Sequence, residues 1–351
     1  MRIKKLQQVM KSKNIDLSLF LCFTEEPNTN MIYFADYAGK GVLAVTKNSC
    51  FVFYPEYEKN KLPKNKIRKI KVEKTRHLVD ELKKVLKNKK IKKTAVEEDK
   101  LTVYMFKKIK KKLKGRYTDI SKTGSKIRMI KEEKEINNIK KACEITDNIY
   151  SKIIRNFKFE TEDKIRDFIK SEAKKNGCEL AFPPIAASAE GSSEIHYMGS
   201  KKIKKGFLML DFGVKYKGYC SDMSRMLYIG KPKKPELEDF NLVLKTIEEC
   251  EKSMVKKFSE LHIKANKILG KKAEFFTHFL GHGVGLDIHE SPAVYSEDKN
   301  KIRDNITFTI EPGIYFPEKY GIRLEDTVII KNKKIKTLTK SNKKLVIIDE
   351  I

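Results

Sequence analysis

Cysteine and long apolar runs are scarce in this sequence of 351 residues. The six cysteines are scattered at positions 22, 50, 143, 178, 220 and 250, without a Cys-x-x-Cys pair. This spacing favours reduced thiols over a thiolate zinc site or a disulfide framework. The sequence also lacks the roughly eighteen consecutive apolar residues of a membrane-spanning helix, and the short apolar run at residues 17–23 has no cleavage site after it. We therefore expect a cytoplasmic protein without a membrane partner.

Acidic residues are few relative to basic ones, and the formal net charge is +29. Such an excess can indicate a nucleic-acid partner, for which the run at residues 107–116 is the strongest candidate. However, lysine is spread over every predicted helical face, as a genome-wide bias or a thermal adaptation would produce, and no aromatic residues interleave for base stacking. We therefore expect no specific nucleic-acid partner.

Glycine-rich phosphate loops are absent from the strand-to-helix turns of the amino-terminal third, so a nucleotide role has no support there. This third instead alternates helical and extended apolar patterns: helical at residues 2–13, 78–86 and 101–113, extended at 17–21, 42–45, 51–54 and 94–96. The alternation predicts an α/β domain with a mixed sheet, serving as a scaffold or a cover for substrate. Because the length favours two domains and the periodicity breaks near residues 115–124, we expect domains at 1–120 and 121–351.

The remaining two thirds begin with two predicted helices. Apolar residues recur every three or four positions from Ile136 to Ile153, which predicts one long helix whose apolar stripe packs on a sheet. A second helix is expected to begin at Thr161 and to end near Gly177.

Histidine is rare, yet three of the six histidines, His278, His282 and His289, fall within residues 277–292, interleaved with three glycines. A single histidine is most often a polar residue on a turn or a hydrogen-bonded surface, whereas a cluster can belong to a metal or acid–base site. A three-histidine zinc site would need all three rings to converge. The carboxylate-rich segments on either side indicate instead an oxygen-rich site with few nitrogen donors.

The first of these segments is a predicted hairpin that carries two aspartates. If its turn is centred on Tyr216 and Lys217, cross-strand partners satisfy i + j = 433, and Asp211 faces Asp222 (211 + 222 = 433). Like charges opposite each other are destabilising, so a buried aspartate pair implies cations or a shared proton. The alternative is that Arg225 neutralises the pair through a salt bridge.

The second segment is a hairpin that carries two glutamates. With its turn centred on Glu318, partners satisfy i + j = 636, which places Glu311 opposite Glu325 (311 + 325 = 636). Four carboxylates and one imidazole suit two divalent cations about 3.5 Å apart that share carboxylates and a hydroxide. Oxygen-dominated ligation without thiolate favours manganese, iron(II), cobalt or zinc, and the sequence does not choose among them.

These motifs, in this order, resemble those of the Xaa-Pro peptidase family, that is, prolidase and aminopeptidase P, which share the pita-bread fold with methionine aminopeptidase. The matching segments are residues 210–213, 221–225, 278–285, 288–290, 311–315 and 322–326. Residues 128–131 and 135–136 resemble the family's opening helix, and residues 30–34 resemble its amino-terminal domain. The resemblance implies an α/β (α+β) fold class, with an N-terminal creatinase-like α/β domain followed by a C-terminal pita-bread catalytic domain.

The resemblance also implies roles for individual residues. Metal ligation is implied for Asp211, Asp222, His282, Glu311 and Glu325. Asp222 and Glu325 would bridge two divalent ions, with Mn²⁺ or Co²⁺ favoured over Fe²⁺ or Zn²⁺, and Glu311 would handle the proton of the attacking water. His196 and His289 would hold the scissile carbonyl and the tetrahedral intermediate, while His278 and Arg323 would line the substrate pocket. A homodimer is expected from the family alone.

The sequence departs from the family pattern near the substrate pocket. Ile195 stands where proline commonly precedes the histidine, Tyr197 is bulkier than the usual small residue, and the connection at residues 254–276 is shorter and lacks the typical Pro-Gly. These departures concern the shape of the pocket and leave the implied metal ligands intact.

We expect hydrolysis of the peptide bond preceding proline by a dipeptidase or, alternatively, by an aminopeptidase that acts on longer peptides. A creatinase-like hydrolase without metal is less favoured, because such proteins have lost ligands that are present here. A catalytically inactive interaction or nucleic-acid-binding protein is also less favoured, because buried carboxylates without metal would be costly.

Overall fold

The computed structural model of the protein describes residues 2–349, apart from the side chain of Thr75. The chain divides into two compact units, Met1–Arg128 and Met129–Ile351. We expected the boundary after residue 120, which is eight positions before this division (128 − 120 = 8). The residues that interrupt the apolar pattern belong instead to a helix, Ser121–Met129. A Cβ on Gly124 would overlap the side-chain amide of Asn30, so this glycine permits a close approach inside the helix.

Nine α-helices and twenty β-strands lie within residues 2–349. The helices are α1 (Arg2–Ser12), α2 (Thr29–Ala35), α3 (Leu78–Val85), α4 (Val103–Lys112), α5 (Ser121–Met129), α6 (Glu133–Arg155), α7 (Glu162–Lys175), α8 (Lys234–Glu251) and α9 (Phe258–Leu269). The strands are β1 (Leu17–Cys22), β2 (Gly41–Thr46), β3 (Cys50–Pro55), β4 (Arg68–Val72), β5 (Lys93–Val96), β6 (Arg116–Asp119), β7 (Glu179–Leu180), β8 (Ile185–Ser188), β9 (Gly206–Phe212), β10 (Val214–Tyr216), β11 (Tyr219–Cys220), β12 (Met223–Ile229), β13 (Gly281–Gly283), β14 (Glu290–Val294), β15 (Thr307–Ile310), β16 (Gly313–Phe316), β17 (Tyr320–Arg323), β18 (Asp326–Lys331), β19 (Lys334–Thr337) and β20 (Val346–Ile348).

The first unit is built on one six-stranded sheet in the order β4-β3-β2-β1-β5-β6. β1, β2 and β3 are antiparallel neighbours, whereas β4, β5 and β6 each run parallel to the strand beside them. Val45 lies opposite Cys50 at the hairpin that joins β2 and β3. Leu82 of α3 and Ile109 of α4 pack with apolar residues of the sheet. The predicted mixed α/β architecture of this unit is confirmed.

The second unit contains a four-stranded sheet, β20-β12-β9-β8, and a five-stranded sheet, β14-β13-β15-β18-β19, besides smaller sheets of three and two strands. Helices α6 and α7 share one apolar core with β9 and β12, and helices α8 and α9 share another with β15 and β18. The apolar spacing predicted α6, and Oγ1 of Thr161 caps α7 by accepting from the backbone of Lys164 at 3.3 Å.

Strand β9 determines where the first predicted ligand points. Leu208, Leu210 and Phe212 belong to the core beneath α6 and α7. Because side chains alternate along a strand, Asp211 points to the opposite face, and Ser224 of β12 lies directly across from it on that face.

None of the helices within residues 2–349 combines the length and the apolar character that crossing a membrane requires.

Candidate metal centre

The two aspartates occupy the same face of the β9–β12 ladder but not opposite positions. The ladder pairs Asp211 with Ser224, so partners sum to 435 and the predicted register, 433, is wrong. The cause is the turn, which is formed by Lys217 and Gly218 with φ angles of +48° and +83°. Positive φ at both central residues, with glycine second, is typical of a two-residue type I′ hairpin. A shift of two residues preserves the alternation, so Asp222 still lies on the same face as Asp211.

The two glutamates lie between two short ladders with a common register. Ile310 pairs with Asp326 in β15–β18, and Gly313 pairs with Arg323 in β16–β17, so both ladders have the predicted sum of 636. Glu311 and Glu325 fall in the gap between these pairs. The register predicted for this hairpin is therefore confirmed, and the glutamates come from adjacent chain segments.

His282 contributes the single imidazole among the predicted ligands. Its Nδ1 lies 3.2 Å from the carbonyl oxygen of Gly283. Because a carbonyl can only accept, Nδ1 is the donor in this contact, which leaves Nε2 as the nitrogen that can bind a ligand. Nε2 lies 3.3 Å from Oε1 of Glu311 and 3.5 Å from Oδ2 of Asp222. Asp222, His282 and Glu325 offer one ligand atom each within 4.8 Å of one another.

Three carboxylate oxygens of this group are buried without a hydrogen-bond partner among residues 2–349: Oδ1 of Asp211, Oδ1 of Asp222 and Oε1 of Glu325. Burial, followed by the charges of neighbouring carboxylates, raises the pKa of Asp222 and of Glu325 well above their ordinary values. Unpaired buried oxygens are costly unless a cation occupies the space between them. The donor set, oxygens with one nitrogen, thus fits divalent metal ions.

The five predicted ligands line one cavity of about 220 Å³ together with His196 and His289. The ring centroid of His289 lies 4.2 Å from that of His282. Burial, followed by the charge of His282, lowers the pKa of His289, which keeps it a neutral donor near neutral pH. Apolar side chains, including Phe182 and Ile288, form another part of the wall. The cavity is therefore lined by carboxylate and imidazole groups on one part and by apolar side chains on another.

Comparison with known proteins places this geometry in a family. The family model "Metallopeptidase family M24" matches residues 137–332, and the model "Creatinase/Prolidase N-terminal domain" matches residues 2–130. This chain belongs to metallopeptidase family M24. The M24 match lies in the unit that carries the carboxylate cavity, and the predicted succession of a creatinase-like domain and a pita-bread domain is confirmed.

Relatives of this M24 peptidase match it over nearly its whole length. An Xaa-Pro dipeptidase of Pyrococcus horikoshii is 34% identical over 357 aligned positions, which cover 98% of each chain. The crystal structure of the prolidase from Pyrococcus horikoshii has a TM-score of 0.90 at 31% identity, covering 98% of this chain and 99% of the other. The crystal structure of an X-Pro aminopeptidase from Thermotoga maritima has a TM-score of 0.87 at 28% identity and covers 99% of both chains.

Hydroxyl groups that sequence reasoning did not single out hold the carboxylates of this M24 peptidase in place. Ser224 donates from Oγ to Oε2 of Glu325 at 2.8 Å, and Thr309 donates from Oγ1 to Oε1 of Glu311 at 3.0 Å. Each hydroxyl lies two residues from a predicted ligand on the same strand segment, Ser224 after Asp222 and Thr309 before Glu311. That spacing puts hydroxyl and carboxylate on one face, which is a signal the sequence did contain.

Of the two remaining residues predicted to contact substrate, one lines the cavity and the other does not. His278 is not among the residues that line the cavity. Its Nδ1 lies 2.7 Å from the carbonyl of Phe279, and its Nε2 lies 2.9 Å from the hydroxyl of Tyr315. Arg323 does line the cavity, but it donates to Asp211, to Tyr315 and to Ser224. Substrate contact by either residue stays a prediction.

Arg225, which the sequence offered as a possible partner for the aspartates, has another role. Its terminal nitrogen donates to Oδ1 of Asp326 at 2.6 Å, and both side chains are buried. The second terminal nitrogen donates to the carbonyl of Glu325 at 2.6 Å. Arg225 therefore ties β12 to the segment of Glu325, and the interpretation in which it neutralises the aspartate pair is wrong.

Proposed function

We propose that this M24 peptidase hydrolyses the peptide bond that precedes proline, acting as an Xaa-Pro dipeptidase with two divalent metal ions per chain. The observation that supports it most directly is the convergence of three unpaired carboxylate oxygens and Nε2 of His282 on a single cavity. Relatives named as Xaa-Pro dipeptidase and prolidase, whose matches cover at least 98% of both chains, support the choice of substrate.

The proposed ligands are Asp211, Asp222, His282, Glu311 and Glu325. Asp222 and Glu325 would bridge the two ions, since their ligand atoms lie within 4.8 Å of each other and of a ring nitrogen of His282. Two bound cations would lower the pKa of a shared water, so that hydroxide is available near neutral pH. Mn²⁺ or Co²⁺ is our first choice, with Fe²⁺ or Zn²⁺ as alternatives, and a donor set dominated by oxygen suits all four.

Three side chains are proposed to assist the hydrolysis. Glu311 takes the proton of the attacking water and passes it to the proline nitrogen as the carbon–nitrogen bond breaks. His196 and His289 hold the carbonyl oxygen while negative charge develops on it. The products are a free amino acid with a new carboxylate and a proline with a secondary amine. A tertiary X-Pro amide has no N–H to bind, so positioning falls on the carbonyl and on the apolar wall.

A second candidate is an Xaa-Pro aminopeptidase that removes the first residue of longer peptides. The similarity to the X-Pro aminopeptidase structure of Thermotoga maritima, which covers 99% of both chains, supports it. The two activities share the chemistry and differ in whether the chain continues after proline. We further propose that the protein works in the cytoplasm as a homodimer on small peptides, without a specific nucleic-acid or membrane partner.

The test is hydrolysis of Met-Pro and of Met-Pro-Gly by metal-depleted protein that is re-supplied with Mn²⁺ or Co²⁺ and then with Fe²⁺ or Zn²⁺, with Met-Ala as the control. Metal-dependent cleavage of Met-Pro alone is the expected result for a dipeptidase, and release of methionine from Met-Pro-Gly would favour the aminopeptidase. If no metal supports X-Pro cleavage, the proposal fails. Salt-dependent nucleic-acid binding in that protein would then favour the inactive interaction module.

A further inference from the structure

The loop that carries His196 is attached to helix α7 through a buried carboxylate. Glu162 is fully buried in the first turn of α7. Its Oε1 accepts from the backbone nitrogen and the hydroxyl of Ser188, both at 2.8 Å, and its Oε2 accepts from the backbone nitrogen of Lys201 at 2.9 Å. Ser188 and Lys201 lie before and after the loop, so one side chain joins the two ends.

A second side chain of the same helix face supports this attachment. Arg166 follows Glu162 by four residues, and residues four apart lie on one face of a helix. Its terminal nitrogens donate to the carbonyls of Ala186 at 3.2 Å and Gly199 at 2.6 Å. Both carbonyls lie within two residues of the loop ends that Glu162 holds. One turn of α7 therefore fixes the loop through its N–H groups and its carbonyls.

Tyr197, the residue after His196, completes the contact. It is 4% exposed, and its hydroxyl donates to Oε2 of Glu162 at 3.0 Å. A Cβ on Gly191 would lie 3.0 Å from its ring, and one on Gly199 would overlap its hydroxyl, so the phenol occupies space that these glycines leave. Burial, followed by the hydrogen bond to Glu162, raises the pKa of Tyr197 to about 12, and the hydroxyl remains a donor.

The imidazole of His196, by contrast, has no hydrogen bond of its own within residues 2–349. His196, which follows Ile195 and precedes Tyr197 in the chain, is exposed and lines the cavity. The carbonyl of Ile195 accepts from Arg323 at 3.4 Å, a long contact. The position of the ring therefore depends mainly on how firmly its neighbours hold the backbone.

We propose that Tyr197 and Glu162 are positioning residues for His196, and that their buried contact fixes the loop so that the imidazole is held over the cavity. The inference rests on the proposed function, in which His196 holds the scissile carbonyl oxygen. A displacement of about 1 Å in such a group can lower the rate by about a hundredfold. Loss of the tyrosine hydroxyl alone, with the ring retained, should have a smaller effect of the same kind.

The first experiment compares Tyr197→Phe with Tyr228→Phe. Tyr228 is the matched control, because it is also a buried tyrosine whose hydroxyl donates to a glutamate, Oε2 of Glu236 at 2.8 Å, and it does not line the cavity. We expect Tyr197→Phe to lower kcat for Met-Pro by about tenfold with bound metal unchanged, and Tyr228→Phe to retain the wild-type value. Equal kcat values for Tyr197→Phe and the wild type would overturn the inference.

A double-mutant cycle separates positioning from general structural damage. If Tyr197 acts through His196, then Tyr197→Phe has no further effect on kcat once His196→Ala is present. Two losses that multiply would show that the tyrosine acts independently of the histidine, and would overturn the assignment.

Hydrogen exchange of the metal-free protein tests the attachment without relying on catalysis. The amides of Ser188 and Lys201 should exchange faster in Tyr197→Phe than in Tyr228→Phe or the wild type. Unchanged exchange would overturn the inference. If the wild type cleaves no X-Pro substrate, the proposed function fails and the catalytic role of Tyr197 fails with it, while the exchange rates still decide whether the contact holds the loop.

Discussion

Arg323 donates through one terminal nitrogen to Oδ2 of Asp211, and the second oxygen of that carboxylate, Oδ1, is buried without a hydrogen-bond partner among residues 2–349. The same guanidinium donates to the hydroxyl of Tyr315 at 2.7 Å and, through Nε, to Oγ of Ser224 at 3.0 Å. These three partners, together with the carbonyl of Ile195 at 3.4 Å, fix the planar group in one orientation. Arg323 therefore orients Asp211 and leaves one of its oxygens for the cavity.

Replacement of Arg323 by lysine should weaken metal binding. Lysine keeps the charge but is a point donor, and it cannot hold Asp211, Tyr315 and Ser224 together. We expect Arg323→Lys to lower the Mn²⁺ affinity of the metal-free protein by about 10- to 100-fold, as residues behind metal ligands typically do. Calorimetric titration measures it, with Arg303→Lys at an exposed position as the control. Equal affinities in Arg323→Lys and the wild type would show that the guanidinium does not orient the ligand.

Glu251 should make the stability of the protein depend on pH. Burial, followed by the charge of Asp326, raises the pKa of Glu251 to about 7 from its ordinary value of 4.5, despite Lys343 at 3.1 Å. The folded state thus binds this proton more tightly than the unfolded chain. The resulting stabilisation is complete below about pH 4.5 and is lost as the pH rises through 7, amounting to up to about 3 kcal/mol.

The variant Glu251→Gln removes this titration. We subtract the free energy of unfolding of the wild type from that of Glu251→Gln, both measured by urea unfolding. This difference should be more positive at pH 8 than at pH 5. Glu238→Gln, exposed on the same helix, is the control and should show no such difference. A Glu251→Gln protein whose difference from the wild type is the same at both pH values would contradict the assignment.

A buried ion pair next to His289 should contribute strongly to stability. Lys131 lies 2.7 Å from Oε1 of Glu290, the residue after His289, and both side chains are 1% exposed. Lys131→Met would leave the carboxylate buried without this cation, which costs about 3 kcal/mol in the free energy of unfolding. Lys141→Met, which breaks an exposed pair with Glu144, should have little effect in the same unfolding experiment. Similar midpoints for the two variants would refute the prediction.

The sequence predicted the carboxylate hairpins unequally well, and the turns explain why. The Glu311–Glu325 hairpin turns at Glu318, as expected, so the register predicted for it is correct. The Asp211 hairpin turns one position later than expected, because the left-handed conformations fall on Lys217 and Gly218 rather than on Tyr216. Because the register differs from the predicted one by two residues, both aspartates remain on one face of the ladder. A difference of one residue would have placed them on opposite faces.

The supporting contacts could not be predicted in the same way. Alternation along one strand can bring Ser224 to the face of Asp222, but the contact between Arg323 and Asp211 joins residues 112 positions apart. Such contacts depend on how the sheets pack, which periodicity does not encode. Gly124 shows the same limit, since the sequence predicts an interruption there, whereas it is the point where α5 meets Asn30.

The most direct test of the proposed centre is a Mn²⁺ titration of metal-free wild type and Asp222→Asn, with bound metal and Met-Pro hydrolysis measured on the same samples. The wild type should bind two ions per chain and gain activity as they bind. Asp222→Asn should retain fewer than two ions and lose more than about a hundredfold in activity, whereas Lys110→Ala, on a solvated helix face, should match the wild type. An Asp222→Asn protein that binds two ions and hydrolyses Met-Pro at the wild-type rate would contradict the assignment of the centre.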